Sequence, residues 1–219
     1  MQWRLFQLAA MGAIAASFSM VSSLLLTQFD PQVRAQSTQA QATQETVPQT
    51  QTEQRQPDAP FVPTPQEVVD EMLKLAKVQK GDVLYDLGSG DGRIPITAAR
   101  EYGARGVGID IDPKLVRAAT ENAKQAGVSD LVEFRQQDLF KADFSDATVL
   151  TLYLFPDMNA KLRPQMFKQL KPGTRIVAHD FAIEGWKPDR VVAVKGANRT
   201  HTLYYWVIPE NAAATVKQG

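Results

Sequence analysis

Short apolar runs and amphipathic stretches alternate between residues 61 and 208. The apolar runs have the length and the β-branched content of buried strands, and they lie at 83–85, 106–109, 131–135, 147–152, 174–179, 191–195 and 202–208. Helical periodicity appears between them, at 94–101 and 114–125. Strands that alternate with helices in this way predict a parallel, doubly wound α/β sheet that is covered on both faces.

The last two strands depart from this alternation. The segment between residues 179 and 191 contains Gly185, Trp186 and Pro188 and is shorter than the dozen or so residues that a crossover helix usually needs. We therefore expect the last crossover helix to be reduced to a turn. Loop 196–199 should join the final strands as a C-terminal antiparallel hairpin.

An entry helix precedes the first strand. Thr64, Pro65 and Glu67 have the spacing of a capping box, with the threonine as cap and the proline in the first helical position. The helix should bury one apolar face, formed by Val68, Met72, Leu73, Leu75 and Ala76. Thr64 is thus a structural cap or, alternatively, a ligand contact.

The amino-terminal third differs from the rest. Residues 5–26 are apolar and follow Arg4, as in a targeting segment, and ~20 such residues suffice to span a bilayer. Val33-Arg34-Ala35 also fits a signal cleavage site, so anchor and cleaved signal both stay open. Residues 36–60 hold eight glutamines, five threonines and three prolines, a composition typical of disorder. We expect a signal or anchor at 1–35, a linker at 36–60 and a folded domain at 61–219, membrane-associated or exported after cleavage.

The sequence 86–93, DLGSGDGR, follows the first predicted strand. Glycine at 88, 90 and 92 permits positive φ angles and lets a ligand approach the main chain closely. Gly88, Gly90 and Gly92 therefore predict a ligand-binding turn. The helix that follows directs its free amide hydrogens to the same place, which suits an electron-rich group.

Two acidic residues extend this site. Asp110 ends the second strand, twenty residues after Gly90, where a nucleoside ribose finds its acceptor. Asp138 follows the third strand, where a carboxylate can accept a hydrogen bond from an adenine amine, although aspartates also end strands for turn reasons. Asp112 is expected to cap the helix that Pro113 opens. Three loops at the carboxyl ends of adjacent parallel strands imply an adenosine-containing ligand.

Composition narrows the function further. The chain has 24 basic and 24 acidic residues, so nothing indicates a nucleic-acid surface. Cysteine is absent, which excludes disulfides and thiolate nucleophiles, and His179 and His201 alone make a metal site improbable. We expect a monomer without a metal and without a nucleic-acid partner.

The glycine pattern, with an aspartate directly before it, resembles that of the class I S-adenosylmethionine-dependent methyltransferases, which have a Rossmann-like fold. The resemblance implies S-adenosyl-L-methionine as cofactor. It implies that Asp86 lies near the methionine amino group, that the three glycines pass along the methionyl and ribose portions, and that Asp110 and Asp138 contact ribose and adenine. The implied cofactor set also includes Thr64, Ser89, Ile111 and Leu139.

The segments VPTPQEVVDEML, DLGSGDGR, YLFPDMNAKLRP and LKPGTRIVAHDF resemble a narrower group of membrane-tethered methyltransferases, related to the enzyme that methylates a lysine of the ATP synthase c-subunit. This resemblance implies methyl transfer to a lysine of a membrane-associated protein. A small-molecule acceptor, or a sensor that binds the cofactor without catalysis, is the alternative. The Asp/Asn-Pro-Pro-Tyr motif of many amino-methylating relatives is replaced here by Tyr153-Leu154-Phe155-Pro156.

Four residues after strands four and five are candidates for catalysis. Tyr153 can orient an amine through its hydroxyl and its ring face. Asn159 is a second candidate or merely begins a helix. His179 and Asp180 are adjacent, so on a strand they would point to opposite faces and one of them would be structural. Attack on a sulfonium methyl group depends mainly on positioning and desolvation of the nucleophile.

Overall fold

The computed structural model describes residues 60–211. Within this range the chain forms four α-helices, seven strands and one 3-10 turn. The helices are α1 (Gln66–Leu75), α2 (Arg93–Tyr102), α3 (Pro113–Gln125) and α4 (Pro156–Gln169). The strands are β1 (Val83–Leu87), β2 (Arg105–Asp110), β3 (Val132–Gln136), β4 (Val149–Leu152), β5 (Arg175–His179), β6 (Arg190–Lys195) and β7 (Thr200–Val207).

The strands form one sheet in the order β3-β2-β1-β4-β5-β7-β6. The first five pair in parallel, and β7 runs antiparallel to both β5 and β6. The predicted Rossmann-like α/β fold with an antiparallel carboxyl-terminal hairpin is therefore confirmed. The chain order reverses between β1 and β4, which is where open α/β sheets bind their ligands.

Alternating side chains of the central strands enter two separate cores. Tyr85 and Leu87 of β1 pack in a cluster with Leu162 and Met166 of α4. Leu84, which directly precedes Tyr85 in sequence, packs in the opposite cluster, which contains the apolar side of α1 and part of α2. This two-residue alternation is the geometry of a strand buried on both faces. The expected buried positions of the entry helix all lie in that second cluster, namely Val68, Met72, Leu73, Leu75 and Ala76.

The connection from β5 to β6 has no helix within residues 180–189, as the short spacing predicts. Trp186 fills the space instead. Its ring packs against Phe167 of α4 at 4.5 Å between centroids and against Trp206 of β7 at 5.7 Å. The Trp206 Nε1 donates a hydrogen bond to the Trp186 carbonyl at 3.0 Å. Aromatic packing thus replaces the covering that a crossover helix usually gives to this end of the sheet.

The predicted capping box is wrong. Helix α1 begins one residue later than expected, with Pro65 as its cap and no side-chain capping bond. The Thr64 hydroxyl points elsewhere and pairs with Nδ1 of His179 at 3.1 Å. The Glu67 carboxylate accepts from the backbone N–H of Ala197 at 3.0 Å instead of reaching back to the cap. Partners distant in sequence therefore outcompete the local cap.

The prediction of a membrane-associated protein is contradicted within the described part of the chain. None of the helices in residues 60–211 is long and apolar enough to cross a membrane. The targeting segment 1–35, on which that prediction depended, lies outside the described residues, as do residues 36–59 of the predicted linker.

Candidate active site

A cavity of about 610 Å³ lies at the carboxyl ends of the parallel strands, beside the point where the strand order reverses. Its lining comes from the segment before α1 and from the loops after β1, β2, β3, β4 and β5. This convergence follows from the parallel sheet, because all of those loops leave the same edge. The cavity is large enough for a nucleoside cofactor and part of an acceptor.

The glycine turn after β1 forms one wall. Gly88, Gly90 and Gly92 have φ angles of +81°, +54° and +79°, which L side chains rarely adopt. The backbone N–H groups of Gly88 and Ser89 both donate to the Ile109 carbonyl, at 2.8 and 3.0 Å, and so hold the turn against β2. A Cβ atom on Gly90 would lie 2.3 Å from the Phe61 ring, so any larger residue here would displace that ring as well as strain the backbone.

Asp86 lies at the floor of the cavity and is 3% exposed. The Thr151 hydroxyl donates to its Oδ1 at 2.8 Å, across the β1–β4 pair. Burial raises the pKa of Asp86 to about 7, since the single hydroxyl bond offsets only part of the desolvation and Asp110 and Asp91 add repulsion. A cationic ligand group beside this carboxylate would supply the charge that it lacks.

Asp110 connects the turn to the second loop. Its Oδ2 accepts from the Gly90 N–H at 2.8 Å and its Oδ1 accepts from the Asp112 N–H at 3.0 Å. A carboxylate has about four lone-pair sites, so two remain for hydroxyl donors in the cavity. Asp112 caps α3 by accepting from the Lys114 N–H at 2.7 Å, which confirms its predicted role.

The remaining members of the expected cofactor set also line the cavity. Asp138 caps a single 3-10 turn by accepting from the Phe140 N–H at 3.0 Å, and Leu139 follows it. Ile111 and Thr64 contribute to the same wall. The structure thus brings all ten together around one cavity: Thr64, Asp86, Gly88, Ser89, Gly90, Gly92, Asp110, Ile111, Asp138 and Leu139, with Gly90 and Gly92 behind the lining as turn residues.

The polar groups of the cavity wall indicate which ligand it suits. The Asp86 carboxylate lies in the lining without a cationic partner among the described residues, and Asp110 keeps lone pairs free beside its two backbone hydrogen bonds. These carboxylates form an acceptor set that fits a ligand with an ammonium group and ribose hydroxyls. The Ser89 hydroxyl does not belong to this set, because its Oγ is enclosed by protein near Gly108 of β2.

The end of the cavity nearest β4 and β5 is aromatic. Tyr153, Phe155 and Phe181 line it together with Met158. The Phe181 ring lies 6.2 Å from that of Tyr153 and 5.9 Å from that of Phe155. Sequence reasoning identified Tyr153 but missed the two phenylalanines and Met158, whose positions depend on how the loops after β4 and β5 meet.

Behind Tyr153 lies a buried network that the sequence only partly indicated. The His179 ring stacks under Tyr153 at 3.9 Å between centroids, and its Nε2 lies 2.8 Å from Nδ1 of His201. Burial lowers the pKa of His179 to about 4, so this ring is neutral at physiological pH. His201 belongs to β7 and was not predicted to take part in the site.

Asp180 lies on the same side as His179, contrary to the expectation of opposite faces. Strand β5 ends at His179, and Asp180 has a φ of +58°, which turns its carboxylate back toward both histidines at 3.3 and 3.6 Å. Burial alone would raise the pKa of Asp180, but hydrogen bonds from Arg199 and from the Thr202 N–H lower it to about 2. The Arg199 guanidinium is thus the cationic partner of this carboxylate among the described residues.

Asn159 is fully buried in α4 and does not line the cavity. Its Nδ2 donates to the carbonyls of Leu154 and Phe181, at 3.3 and 3.0 Å, and thereby ties the loop after β4 to the loop after β5. His179 and Asp180 also lie outside the lining. The positions of these three residues favour support of the aromatic wall over direct contact with an acceptor.

Comparisons with known proteins agree with this geometry. The ANTKMT methyltransferase domain matches residues 86–190. A protein-lysine N-methyltransferase of Saccharolobus islandicus (strain REY15A) is 44% identical over 156 residues, which are 71% of this chain and 97% of that protein. The lysine N-methyltransferase of the ATP synthase c-subunit in Homo sapiens is 33% identical over 132 residues, 60% of this chain and 56% of that protein.

A solved structure is similar over the same region. The RNA methyltransferase from Salinibacter ruber, crystallised in complex with S-adenosyl-L-homocysteine, shares 64% sequence identity with a TM-score of 0.66. The match covers 68% of this chain and 95% of that one. The bound product form of the methyl donor indicates what kind of ligand this cavity accepts.

The fold, the glycine turn and the acidic residues around the cavity define an S-adenosylmethionine-dependent methyltransferase. The chain belongs to the family of the ANTKMT methyltransferase domain, together with protein-lysine N-methyltransferases. Its cofactor is S-adenosyl-L-methionine, which the Asp86 and Asp110 carboxylates of the cavity lining fit.

Proposed function

We propose that this enzyme transfers a methyl group to the side-chain nitrogen of a lysine in a protein substrate. The aromatic end of the cavity carries the proposal, because Tyr153, Phe155 and Phe181 form an apolar surface suited to an alkylamine. Two relatives described as lysine N-methyltransferases support the same acceptor, one of them spanned almost completely by this chain.

The residues of the cavity have distinct proposed roles in cofactor binding. Asp86 pairs with the methionine ammonium, the Gly88 to Gly92 turn accommodates the methionyl and ribose portions, and Asp110 accepts from the ribose hydroxyls. Asp138 accepts from the adenine amine. Ser89, Ile111, Leu139 and Thr64 complete the walls around these groups. The bound cofactor supplies a methyl group on a positively charged sulfur, which needs no protein nucleophile.

The chain's own contribution to the reaction is positioning and desolvation. Desolvation in this apolar end of the cavity favours the neutral form of an amine over the ammonium, whose ordinary pKa is ~10.4. Burial also raises the pKa of Tyr153, so its hydroxyl stays protonated and can hold the acceptor nitrogen by a hydrogen bond. Asn159 keeps the two loops that bear this surface together. An in-line arrangement of amine and methyl group then lowers the barrier without an ionised base in contact with it.

RNA is the second candidate acceptor, and the 64%-identical methyltransferase of Salinibacter ruber, which is named for RNA, is the observation that favours it. The balanced formal charge of this chain argues against it, because RNA binding usually needs a basic surface. The sequence also leaves open a small-molecule acceptor and cofactor binding without methyl transfer. The experiment described next distinguishes both from lysine methylation.

The full-length enzyme would be incubated with S-adenosylmethionine labelled in the methyl group and with total protein or total RNA from the source cells. We expect label in protein that is released as N-methylated lysine on acid hydrolysis, and loss of that label in Asp86→Asn. Label confined to RNA or to small molecules would overturn the lysine proposal. Cofactor binding without label in any fraction would indicate a sensor.

A further inference from the structure

A lysine acceptor arrives as an ammonium ion and must lose one proton before its nitrogen can attack. The cavity end where we place the acceptor is lined by Tyr153, Phe155, Met158 and Phe181, none of which is a base at neutral pH. The buried carboxylates of the lining, Asp86 and Asp110, are assigned to the cofactor's ammonium and ribose. The proton therefore needs another way out of the cavity.

The geometry points to a proton path that runs from Thr64 through His179 to His201, and we propose that it removes the acceptor's proton. The inference rests on the proposed lysine methyl transfer. Thr64 lines the cavity, and its Oγ1 lies 3.1 Å from Nδ1 of His179. The other nitrogen of that ring, Nε2, lies 2.8 Å from Nδ1 of His201. Two successive short contacts thus connect Thr64, His179 and His201, which lie in three separate segments of the chain.

The path leads from the cavity toward the surface. His179 is completely buried and does not line the cavity, whereas the His201 side chain is 6% exposed. His201 lies beneath the β6–β7 loop, where its ring approaches Gly196 so closely that a Cβ there would lie 2.9 Å from Nε2. Nε2 of His201, on the side of the ring away from His179, is therefore the last atom of the network.

Each step leaves every atom with a normal valence. One N–H bond of the ammonium breaks as its proton moves to Thr64 Oγ1, and the hydroxyl proton of Thr64 moves to Nδ1 of His179. The proton on Nε2 of His179 then moves to Nδ1 of His201, which releases its own Nε2 proton to solvent. A neutral imidazole can do this because it has one N–H donor and one acceptor nitrogen. The pKa of His179, lowered by burial, keeps the ring in that neutral form.

The charged groups around the histidine pair would stabilise a transient imidazolium. Asp180, at the end of β5, lies 3.3 and 3.6 Å from the two rings and is itself bound by Arg199 of the hairpin loop. From α1, Glu67 is close enough to His201 to interact with it electrostatically. Tyr153 covers His179 from the cavity side and is near both Asp180 and Arg199. The Asp180 carboxylate thus offsets part of the desolvation that disfavours an imidazolium at His179.

Isosteric and conservative variants distinguish a proton path from a purely structural network. Thr64→Val removes the hydroxyl at constant shape, whereas Thr64→Ser keeps it. His201→Gln keeps a hydrogen-bonding side chain next to His179 but cannot pass a proton from one atom to another as an imidazole does. Calorimetric affinity for S-adenosylmethionine and thermal melting of the full-length variants would establish that each one is folded and binds the cofactor.

The decisive readout is the single-turnover methylation rate of a synthetic peptide with one lysine, measured from pH 6.5 to 10. We expect Thr64→Val and His201→Gln to be slowed about 10- to 100-fold near pH 7, within the range for proton-transfer catalysis. The loss should shrink as the pH approaches ~10.4, since the acceptor then arrives deprotonated. It should also shrink for an aminoethylcysteine peptide, whose amine is more acidic. Thr64→Ser, which restores the hydroxyl, should recover most of the rate near pH 7 that Thr64→Val loses.

An equal loss at every pH and with both peptides would overturn the proposal, because a structural role does not depend on the protonation state of the acceptor. Unchanged rates in both variants would overturn it as well. If the wild-type enzyme methylates neither peptide nor any other lysine, the proposed function itself fails and the path falls with it. A wild-type enzyme that works on lysine while its variants show no pH-dependent defect removes the path alone.

Discussion

Two aspartates at opposite ends of the same strand show how this fold separates stability from function. Asp82 precedes β1 and Asp86 lies within it, four residues on and on the same side of the strand. Both are buried, at 5% and 3% exposure, and each accepts a hydrogen bond from a threonine next to or within β4. Their remaining surroundings differ completely.

Asp82, at the amino edge of the sheet, is fully partnered. It accepts from the Thr148 hydroxyl at 2.7 Å and from the Gln79 N–H at 2.8 Å, and it forms an ion pair with Arg175. Asp86, at the carboxyl edge, has the Thr151 hydroxyl and no cationic partner among the described residues, and its pKa rises to about 7. The protein thus keeps an incompletely satisfied carboxylate at the edge where the cofactor binds.

The largest expected effect is on cofactor affinity at the carboxyl edge. Asp86→Asn should weaken S-adenosylmethionine binding by about 100-fold or more, because removing one partner of a buried charge pair costs roughly 2–5 kcal/mol. Asp82→Asn is the matched control and should leave affinity within a few-fold of the wild type. Titration calorimetry on both variants measures the affinity. Similar losses of affinity in the two variants would contradict the proposed difference between the two ends of β1.

Stability should respond in the opposite order. Asp82→Asn leaves the Arg175 guanidinium, which is 18% exposed, without its counter-charge, at an expected cost on the order of 3 kcal/mol. For a domain of this size the melting temperature should fall by about 10 °C. Asp86→Asn should not destabilise the cofactor-free enzyme at pH 8. A differential scanning experiment without cofactor would contradict the account if Asp86→Asn proved the less stable of the two.

The pH dependence of stability follows from the raised pKa of Asp86. The folded protein binds this proton more tightly than the unfolded chain does. Protonated Asp86 therefore adds stability at low pH, and this contribution is lost as the pH rises through the folded-state pKa. Stability of the cofactor-free enzyme should therefore fall as the pH rises from about 4 to about 7, by a few kcal/mol. Urea unfolding of wild type and Asp86→Asn at pH 5 and pH 8 measures the difference. Identical pH trends would remove Asp86 as its source.

The two threonines give the smallest and most local test. Thr151→Val removes the one described hydrogen bond to Asp86, so the pKa of that carboxyl should rise further and cofactor affinity at pH 7 should fall about 5- to 10-fold, as for one hydrogen bond to a charged group. Thr148→Val should lower stability by about 1 kcal/mol without a change in affinity, since Asp82 keeps its other partners. A similar loss of affinity in both variants would contradict the proposed difference between the two ends of β1.

Features set by a few neighbouring residues were predictable from the sequence. The glycine turn, the Asp112 cap, the parallel sheet with its antiparallel hairpin and the missing crossover helix all follow from local pattern or from the length of a connection. The glycine turn is readable because positive φ angles restrict the residue type wherever they occur.

Features that depend on distant partners were not predictable. Thr64 leaves its expected capping position because His179, 115 residues away, takes its hydroxyl. The approach of His201 requires the antiparallel pairing of β7 with β5, and the position of the Asp180 carboxylate requires one unusual φ angle. Asn159 joins two loops through its bond to the carbonyl of Phe181, which lies 22 residues further along the chain. None of these contacts leaves a periodic or spaced signal in the sequence.

The most direct test of the central claim is the proton balance of cofactor binding. Titrations of S-adenosylmethionine into the full-length enzyme at pH 6.5, in buffers of different ionisation enthalpy, measure the protons released. A carboxyl group with a pKa of about 7 that pairs with the cofactor's ammonium should release a substantial fraction of one proton, and Asp86→Asn should release none. Tight binding with no proton release in the wild type, or the same release in Asp86→Asn, would contradict the account.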